Sequence, residues 1–476
     1  MKRGDVIEVE ITDYAFGGKG ISKQQTENGQ YVIFVDNTYP GQLVQARIAK
    51  KRKKHAECKL LKVLRDSPDA VDLGHQPISG APYIKLPIAR QKELKQSSTL
   101  QQYKRIGEIQ NIDELFDEYL SSPADFNYRN KMEYSFSTIR QDLETGEELD
   151  DQFALGFKTR GTWWKVENLD KEDGLFDADF EQKLKSIREY LESTGLPAWH
   201  PPKKIGFFRH LVVRKSFDQD QLLINLVTSS QGIEDFDREA FSAFMTDKLG
   251  RRLAGLQHTI NDDVSDRAKI ENGNNKLLYG EPVVLEKLLG LYFEISMESF
   301  FQTNPESAER LYQKAIGYAT EKRDLSNKVL MDLFCGTGTI GQIMASQIEG
   351  VKVIGVDIVP EAIEDAGRNA KRNQVENIEF YAADVGKFLL EYPNFAGKID
   401  TIILDPPRAG IAPKTLKKVM ALGAEQIVYI SCNPATQARD AKELAAEGYQ
   451  MTKISLVDQF PHTSHIEAVA RFEKNL

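Results

Sequence analysis

Between residues 5 and 63 apolar side chains recur in short alternating runs, VIEVEITDY, YVIFVDN, LVQARIAK and CKLLKVL, divided by the turn-forming stretches AFGGKG and TENGQ. Alternation of this kind predicts half-buried β-strands, and several short strands joined by Gly/Asn-rich turns predict a small barrel, an architecture suited to holding nucleic acid. A linker-like RDSPDAVD follows. From about residue 63 to 290 the pattern is mixed: KMEYSFSTIR, FALGFKT, HLVVRKSF and QLLINLVTSS read as strands, and FEQKLKSIREYLEST has helical spacing. No internal repeat or low-complexity tract is present.

The last third changes character. The nearly continuous apolar runs KVLMDLF, VKVIGVD, IEFYAAD, IDTIILD and QIVYIS alternate with helical patterns such as PEAIEDAGRNAKRN and PATQARDAKELAAEG. Apolar strands alternating with helices predict a parallel sheet covered on both faces. The final pair, MTKISLVDQF and HIEAVARFE, is separated by too few residues for a crossover and predicts an antiparallel hairpin. The expected organisation is a barrel over 1–62, a mixed α+β unit over 63–290, and a doubly wound Rossmann-like α/β domain over 291–476, its seven-stranded sheet ending in a hairpin.

Composition changes this picture little. At 476 residues the chain exceeds a single core, and 41% hydrophobic with 28% charged residues describes an ordinary globular protein. No apolar run has the length of a membrane span, the opening MKRGDVIEVEITDY has no signal-peptide block, and three scattered cysteines make neither a disulfide framework nor a four-cysteine metal site. These features predict a cytoplasmic protein with no membrane and no metal; a monomer with no protein partner is expected. Charge is more informative. The chain carries −9 overall, yet residues 1–62 hold twelve Lys/Arg against seven Asp/Glu, culminating in KKRKK at 50–54, a run able to displace counterions from a phosphate backbone.

Candidate chemistry concentrates in the last third. DLFCGTGTIG places Gly336, Gly338 and Gly341 after a strand and before a helix, and Asp357 ends the next strand, where an acid can bind ribose hydroxyls. That much admits NAD. Three features favour S-adenosylmethionine instead: Asp332 inside the first strand, where an acid suits a cationic cofactor; Asp384 at the end of the third, near an adenine; and DPPRAG after the fourth, a rigid lip headed by Asp405. An aromatic after such a lip would suit an exocyclic-amine target, but Arg408 follows, and no cysteine stands in the lip as it would for cytosine C5.

In order along the chain, FFQTN, DLFCGTGTIG, DPPRAG, YISCNP and FPHTSHIEAVARFE resemble the motifs of the RNA uracil-C5 methyltransferases that use S-adenosylmethionine. The barrel resembles a TRAM domain and YRNKMEYSF (128–136) a central-domain motif, so the resemblance spans essentially the whole chain. It implies Cys432 as nucleophile, Glu467 as general base, Asp405 as a lip residue contacting cofactor or uracil, and Gln302, Phe334 and Asp357 as cofactor contacts. Thr339 stands where relatives often have Asn, and the resemblance implies no role for it. A TRAM domain is typical of the ribosomal-RNA members, which implies 23S ribosomal RNA as the partner. A transfer-RNA loop and a non-catalytic RNA-binding factor are the alternatives. Many ribosomal members hold an iron–sulfur cluster through four cysteines; here LGHQPISGAPYIK carries Leu73, Ser79 and Pro82 in the corresponding places, so no cluster is expected.

The chemistry needs a thiolate and a carboxylate on one ring: a thiolate adding at C6 makes C5 nucleophilic, and a base then removes the C5 hydrogen so that the thiolate can leave. Pro434 opens a helix just after Cys432, and a helix N-terminus favours a thiolate. Without the resemblance, Cys432 would read as a core residue ending a strand and Glu467 as an exposed strand carboxylate, with His462 and His465 as other candidate bases. Phe300 beside Gln302 can fill the space a flipped base vacates or support the base, and Arg129 and Lys131 can bind phosphate. Phe301 is a candidate for the same role as Phe300, with packing the alternative for both; Cys335, Cys58 and the Trp163–Trp164 pair are expected to pack.

Overall fold

The computed structural model describes residues 2–26, 29–143, 145–263, 274–321, 323–395 and 397–474. Six strands form the first sheet, in the order Val6–Glu10, Leu43–Lys51, His55–Arg65, Gly29–Asp36, Lys19–Thr26 and Asp13–Ala15. The sheet curls shut where its two edges meet: the Ile11 N–H donates to the Gln42 carbonyl and the Thr12 N–H to the Ile21 carbonyl, both at 2.8 Å. The alternation seen in the sequence fills the interior with Val9, Ile11, Ile33, Val35, Val44, Ile48 and Cys58. Residues 50–54 lie at an exposed hairpin end. Residues 27 and 28 of the expected TENGQ turn lie outside the described residues.

The middle of the chain builds a nine-stranded sheet whose centre is the antiparallel set Lys131–Ser137, Phe208–Ser216 and Gln221–Thr228. The helix Ala178–Ser193 covers one face with Phe180, Leu184, Ile187 and Leu191, joined by the helix Arg238–Leu249. From the other face Val212, Leu223 and Val227 pack into the C-terminal core, so the two units share a hydrophobic boundary.

The C-terminal sheet has eight strands: β1 (Phe116–Leu120), β2 (Val329–Leu333), β3 (Lys352–Asp357), β4 (Ile378–Ala382), β5 (Ile399–Leu404), β6 (Gln426–Ser431), β7 (Tyr449–Val457) and β8 (Glu467–Lys474), in the spatial order β4-β3-β2-β5-β6-β8-β7-β1. Strands β2 to β6 are parallel, and the strand order, not the strand direction, reverses between β2 and β5; β8 is antiparallel to both β6 and β7. The seven strands read from the sequence are all present. The eighth, β1, comes from the segment assigned to the middle unit and pairs in parallel with β7. Its acidic residues Asp117 and Glu118 obscured a strand of only five residues.

Six helices matter for the site: α1 (Ile88–Arg105), α2 (Pro305–Thr320), α3 (Thr339–Gln347), α4 (Pro360–Arg372), α5 (Pro413–Met420) and α6 (Pro434–Ala446). Four of them start with Pro, which has no N–H to leave unsatisfied there. Among the described residues no helix is long and apolar enough to cross a membrane.

Candidate active site

The carboxyl ends of β2 to β6 form one edge, and Phe334, Gly336, Asp357, Asp384, Asp405, Cys432 and Glu467 lie along it. After β2 the chain turns sharply: Phe334 has φ +64°, an uncommon conformation for a bulky residue, and Gly336 and Gly338 have φ +52° and +72°. A Cβ on Gly338 would stand 2.5 Å from the Phe380 ring, so only glycine lets the loop pass. The loop is tied by carboxylates. Asp357 accepts the N–H groups of Gly336 and Val359, each at 2.9 Å, and Asp332 accepts that of Gly341 at 2.9 Å. Asp384 follows β4, exposed at the same edge.

Asp332 also tests whether a cationic cofactor fits. Its side chain is completely buried, its Oδ1 has no hydrogen-bond partner, and burial, followed by the neighbouring Asp405, pushes its pKa up to about 8. Burial likewise pushes Asp405 up to about 7. One fully buried acid and one half-buried acid, both short of positive charge, beside a glycine loop with an acid for ribose, fit a sulfonium-bearing nucleoside better than a pyrophosphate.

The second half of the site comes from strand pairing. Ser431 at the end of β6 pairs with Ala468 of β8, so the next residue on each strand, Cys432 and Glu467, meet at the end of the ladder. Asp405 follows β5, its N–H reaching the Leu333 carbonyl at 3.4 Å. Thus Cys432, Glu467 and Asp405 converge although 62 residues of sequence separate the outer two. Glu467 is 4% exposed, so the reading as a solvated strand carboxylate fails: β8 lies between two strands and is covered on both faces. Burial, then Asp405, pushes its pKa up to about 8, while Arg408 pulls the other way.

Cys432 stands just before the N-terminus of α6, and the acidic side chains around it work against the thiolate. Burial, then Glu467 and Asp405, pushes the half-buried thiol up to about 11, and Arg408 is the one side chain opposing them. Arg408, read in the sequence only as a reason to exclude an amine target, is therefore the cation of the site. Its carbonyl is fixed by the Asn433 side-chain amide at 3.0 Å, which locks the lip to the turn that carries Cys432.

Gln302 lies on the loop before α2, 9% exposed. Asn130, which the sequence singled out only as part of a motif, holds it in place: its Nδ2 donates to the Gln302 carbonyl at 3.0 Å and its N–H to the Thr303 carbonyl at 2.8 Å. Tyr312 of α2 was also missed. Its buried phenol faces Gln302, Asp405, Asp332 and Glu467, with burial the main cause of a pKa well above the ordinary value. Neither residue could be found from spacing, because each reaches the site across a domain boundary or from inside a helix.

The loop from β7 to Glu467 is clamped. Lys95 of α1 donates to Asp458 Oδ1 at 2.8 Å and to the Phe460 carbonyl at 3.0 Å, and Tyr119 of β1 bonds Asp458 Oδ2 at 2.8 Å. The Tyr128 hydroxyl donates to the Pro461 carbonyl at 2.9 Å. His462 is buried, stacked 4.5 Å from Phe126 and bonded to Gln91, and burial pushes its pKa down to about 4; its role is packing. The exposed His465 is also pushed down to about 4, by desolvation of its ring and then by Arg408, Lys95 and Arg129.

Of the residues proposed to touch RNA, Phe300 is 70% exposed beside Gln302, while Phe301 is buried against Phe293. Arg129 is half-buried with Nε on the Lys131 carbonyl, and Lys131 pairs with Glu133 at 3.1 Å. Trp163 departs from expectation: it is 54% exposed, and only Trp164 is partly covered, its indole donating to Glu148. Where relatives would hold a cluster, the Ser79 hydroxyl accepts the Arg160 N–H at 2.9 Å and its own N–H donates to Glu167.

A glycine-loop nucleoside site and a cysteine–carboxylate pair on one sheet edge, beside a basic barrel, define an S-adenosylmethionine-dependent RNA methyltransferase. Residues 283–475 match the family described as tRNA (Uracil-5-)-methyltransferase, and residues 1–61 match the TRAM domain. A Clostridium acetobutylicum protein described as an uncharacterized RNA methyltransferase is 36% identical, covering 100% of this chain and 99% of that one; a Clostridium tetani protein of the same description is 37% identical over 98% of each. Among solved structures, the Pyrococcus abyssi tRNA (uracil-54, C5)-methyltransferase in complex with S-adenosyl-L-homocysteine aligns with TM-score 0.69 and 26% identity, covering 98% of this chain and 100% of that one. The chain belongs to the RNA uracil-C5 methyltransferase family, with a TRAM domain at its N-terminal end.

Proposed function

We propose that the protein methylates C5 of a uridine in 23S ribosomal RNA, with Cys432 as nucleophile and Glu467 as general base. The observation that supports this most is the meeting of Cys432, Glu467 and Asp405 at the end of the β6–β8 ladder, beside the glycine loop. Gln302, Phe334, Gly336, Asp357, Asp384 and Asp405 would hold S-adenosylmethionine, which supplies the methyl group from its sulfonium. The Cys432 thiolate adds to C6 of the flipped base, and the ring electrons so released make C5 the nucleophile. Once C5 carries the methyl group, Glu467 takes its hydrogen as a proton; the C–H pair re-forms the C5–C6 double bond and the C6–S pair returns to Cys432. Glu467 must be ionised when it acts, and Arg408 favours that form. Phe300, Arg129 and Lys131 are assigned to the RNA at the mouth of the site.

The ribosomal target rests on the barrel, which accompanies ribosomal members of the family. A transfer-RNA uridine is the second reading, favoured by the Pyrococcus abyssi transfer-RNA enzyme aligning over 98% of the chain, so that the barrel's range does not set the two apart. Purified protein given unmodified 23S ribosomal RNA and unmodified transfer RNA separates them: 5-methyluridine in the ribosomal RNA alone supports the first, in transfer RNA alone the second. With labelled methyl donor, Glu467→Gln should leave labelled RNA bound to protein on a denaturing gel and Cys432→Ala should leave none. Turnover by Cys432→Ala would refute the assignment of the nucleophile.

A further inference from the structure

The clamp on the loop that leads to Glu467 has a third jaw, supplied by the barrel. The glycine turn at 15–19 reaches across to the loop, and Gly18 stands so close that a Cβ there would lie 2.8 Å from the Ser464 Cβ and 2.9 Å from the Tyr83 hydroxyl. Its φ of +80° excludes a side chain on conformational grounds as well. The surrounding contacts make the approach rigid. The Tyr83 N–H donates to the His462 carbonyl at 3.0 Å, and the Tyr83 and Tyr14 hydroxyls bond at 2.9 Å. On the other side of the turn, Phe16 packs against the core of the C-terminal sheet. Ser464 precedes the base by three residues.

We infer that the barrel turn at 15–19 is a positioning element for Glu467: by bearing on Ser464 it sets where β8 begins and hence where the carboxylate meets the C5 hydrogen. This rests on Glu467 being the base. The groups that carry methyl transfer are fixed by other elements, Cys432 by β6 and the lip and the cofactor loop by β2 and β3. A small shift of the loop therefore lengthens the path of the proton to the Glu467 carboxylate without disturbing addition of Cys432 at C6. Loss of the proton, and with it re-formation of the double bond and release of Cys432, becomes the slow step. The barrel then has a second task besides gripping RNA.

The test uses the full chain and whichever unmodified RNA it methylates, 23S ribosomal or transfer. Gly18→Ala should slow product release about tenfold, as misplacement of a reacting group does. Methylated RNA should accumulate covalently on the protein, while RNA affinity by filter binding stays at the wild-type value. Adding Ser464→Gly removes the Ser464 share of the obstruction, while the strain at φ +80° and the Tyr83 contact stay, and should recover part of the lost turnover and lower the covalent species, a non-additive pair. If Gly18→Ala does not fold, Ser464→Val makes the same encroachment from the other side and should give the same accumulation. Wild-type turnover, or a loss of turnover with no rise in the covalent species, overturns the inference. Glu467→Gln run alongside tells which idea fails: if it too gives no covalent species, the base is misassigned; if it does and the turn variants do not, the turn has no part in positioning.

Discussion

Burial shifts the titration of single side chains at this site: Glu467 keeps a proton that it would give up in water, and Cys432 holds its proton more tightly. The Cys432 thiol, pushed up to about 11, is protonated at neutral pH, so the rate of its addition to RNA should rise about tenfold per pH unit between pH 6 and 8, read as single-turnover formation of the covalent species. Arg408 is the cation that favours the thiolate. Arg408→Ala should move that profile to higher pH and cut the rate at pH 7.5 about tenfold, equivalent to roughly one pK unit. Glu467 offers the complementary readout in stability. Its folded pKa, about 8, lies above the ordinary 4.5, so the folded chain keeps a proton that the unfolded chain gives up, and the group's contribution to stability falls as pH rises through that window. Glu467→Gln should therefore melt higher than the wild type by roughly 1–3 °C, the gap widening from pH 5 to 8 in calorimetry. The residue types were legible in the sequence; these states were not. Burial of Glu467 depends on β8 having a neighbour on each side, and no local pattern records that.

At the scale of elements, periodicity served well wherever an element is buried on both faces or alternates cleanly. The strands β2 to β6 and the barrel strands lie within a few residues of their apolar runs. It failed for α1, where buried polar residues break the stripe. Gln91 and Lys95 face inward because their partners are polar groups of the 458–462 loop, whereas Ser98 bonds the Leu94 carbonyl of its own helix and the buried Thr99 hydroxyl has no partner. Lys95 and Asp458 are 1% and 5% exposed at the side chain, and Tyr119 shares the carboxylate. Removing one member of such a pair leaves the other charged and unpaired, so Lys95→Met should cost about 3–5 kcal/mol in chemical denaturation, whereas Lys95→Met with Asp458→Leu should recover much of that loss. Asn130 acts on the opposite wall. Asn130→Ala frees the Gln302 carbonyl and should raise KM for the methyl donor about tenfold, with a smaller effect on kcat, because it loosens a binding loop without touching Cys432 or Glu467.

For the whole molecule, net charge decides little and the distribution of charge is the more informative property. A chain of −9 binds nucleic acid if the positive charge is gathered, and 50–54 gathers it on an exposed hairpin. Replacing those five residues by Ser should weaken RNA binding at low salt and lower the slope of log affinity against log salt by about 0.7 for each phosphate of single-stranded RNA left without a neutralising cation. An unchanged slope would place the RNA elsewhere. What sequence reading could not reach is the stitching between units. Asn130, Tyr128 and Gly18 each sit in one unit and hold a loop of another, and contacts of that range leave no trace in spacing.

The strand β1 carries a consequence for how the chain is made. Its partner β7 lies more than three hundred residues further on, at Tyr449–Val457. Synthesis at ordinary rates puts about 20–70 s between their emergence from the ribosome. For that interval Phe116–Leu120 is an orphan, backbone groups unpaired and available to any other extended segment, including that of a neighbouring nascent chain. Asp117 and Glu118 suit an element that must wait: like charges repel a second copy, and both pair with Lys314 once it arrives on α2. The acidic pair thus guards the strand early and anchors it late. Replacing both by neutral residues should leave the finished enzyme competent while lowering the soluble fraction recovered during expression, most of all at temperatures and yields that crowd nascent chains together.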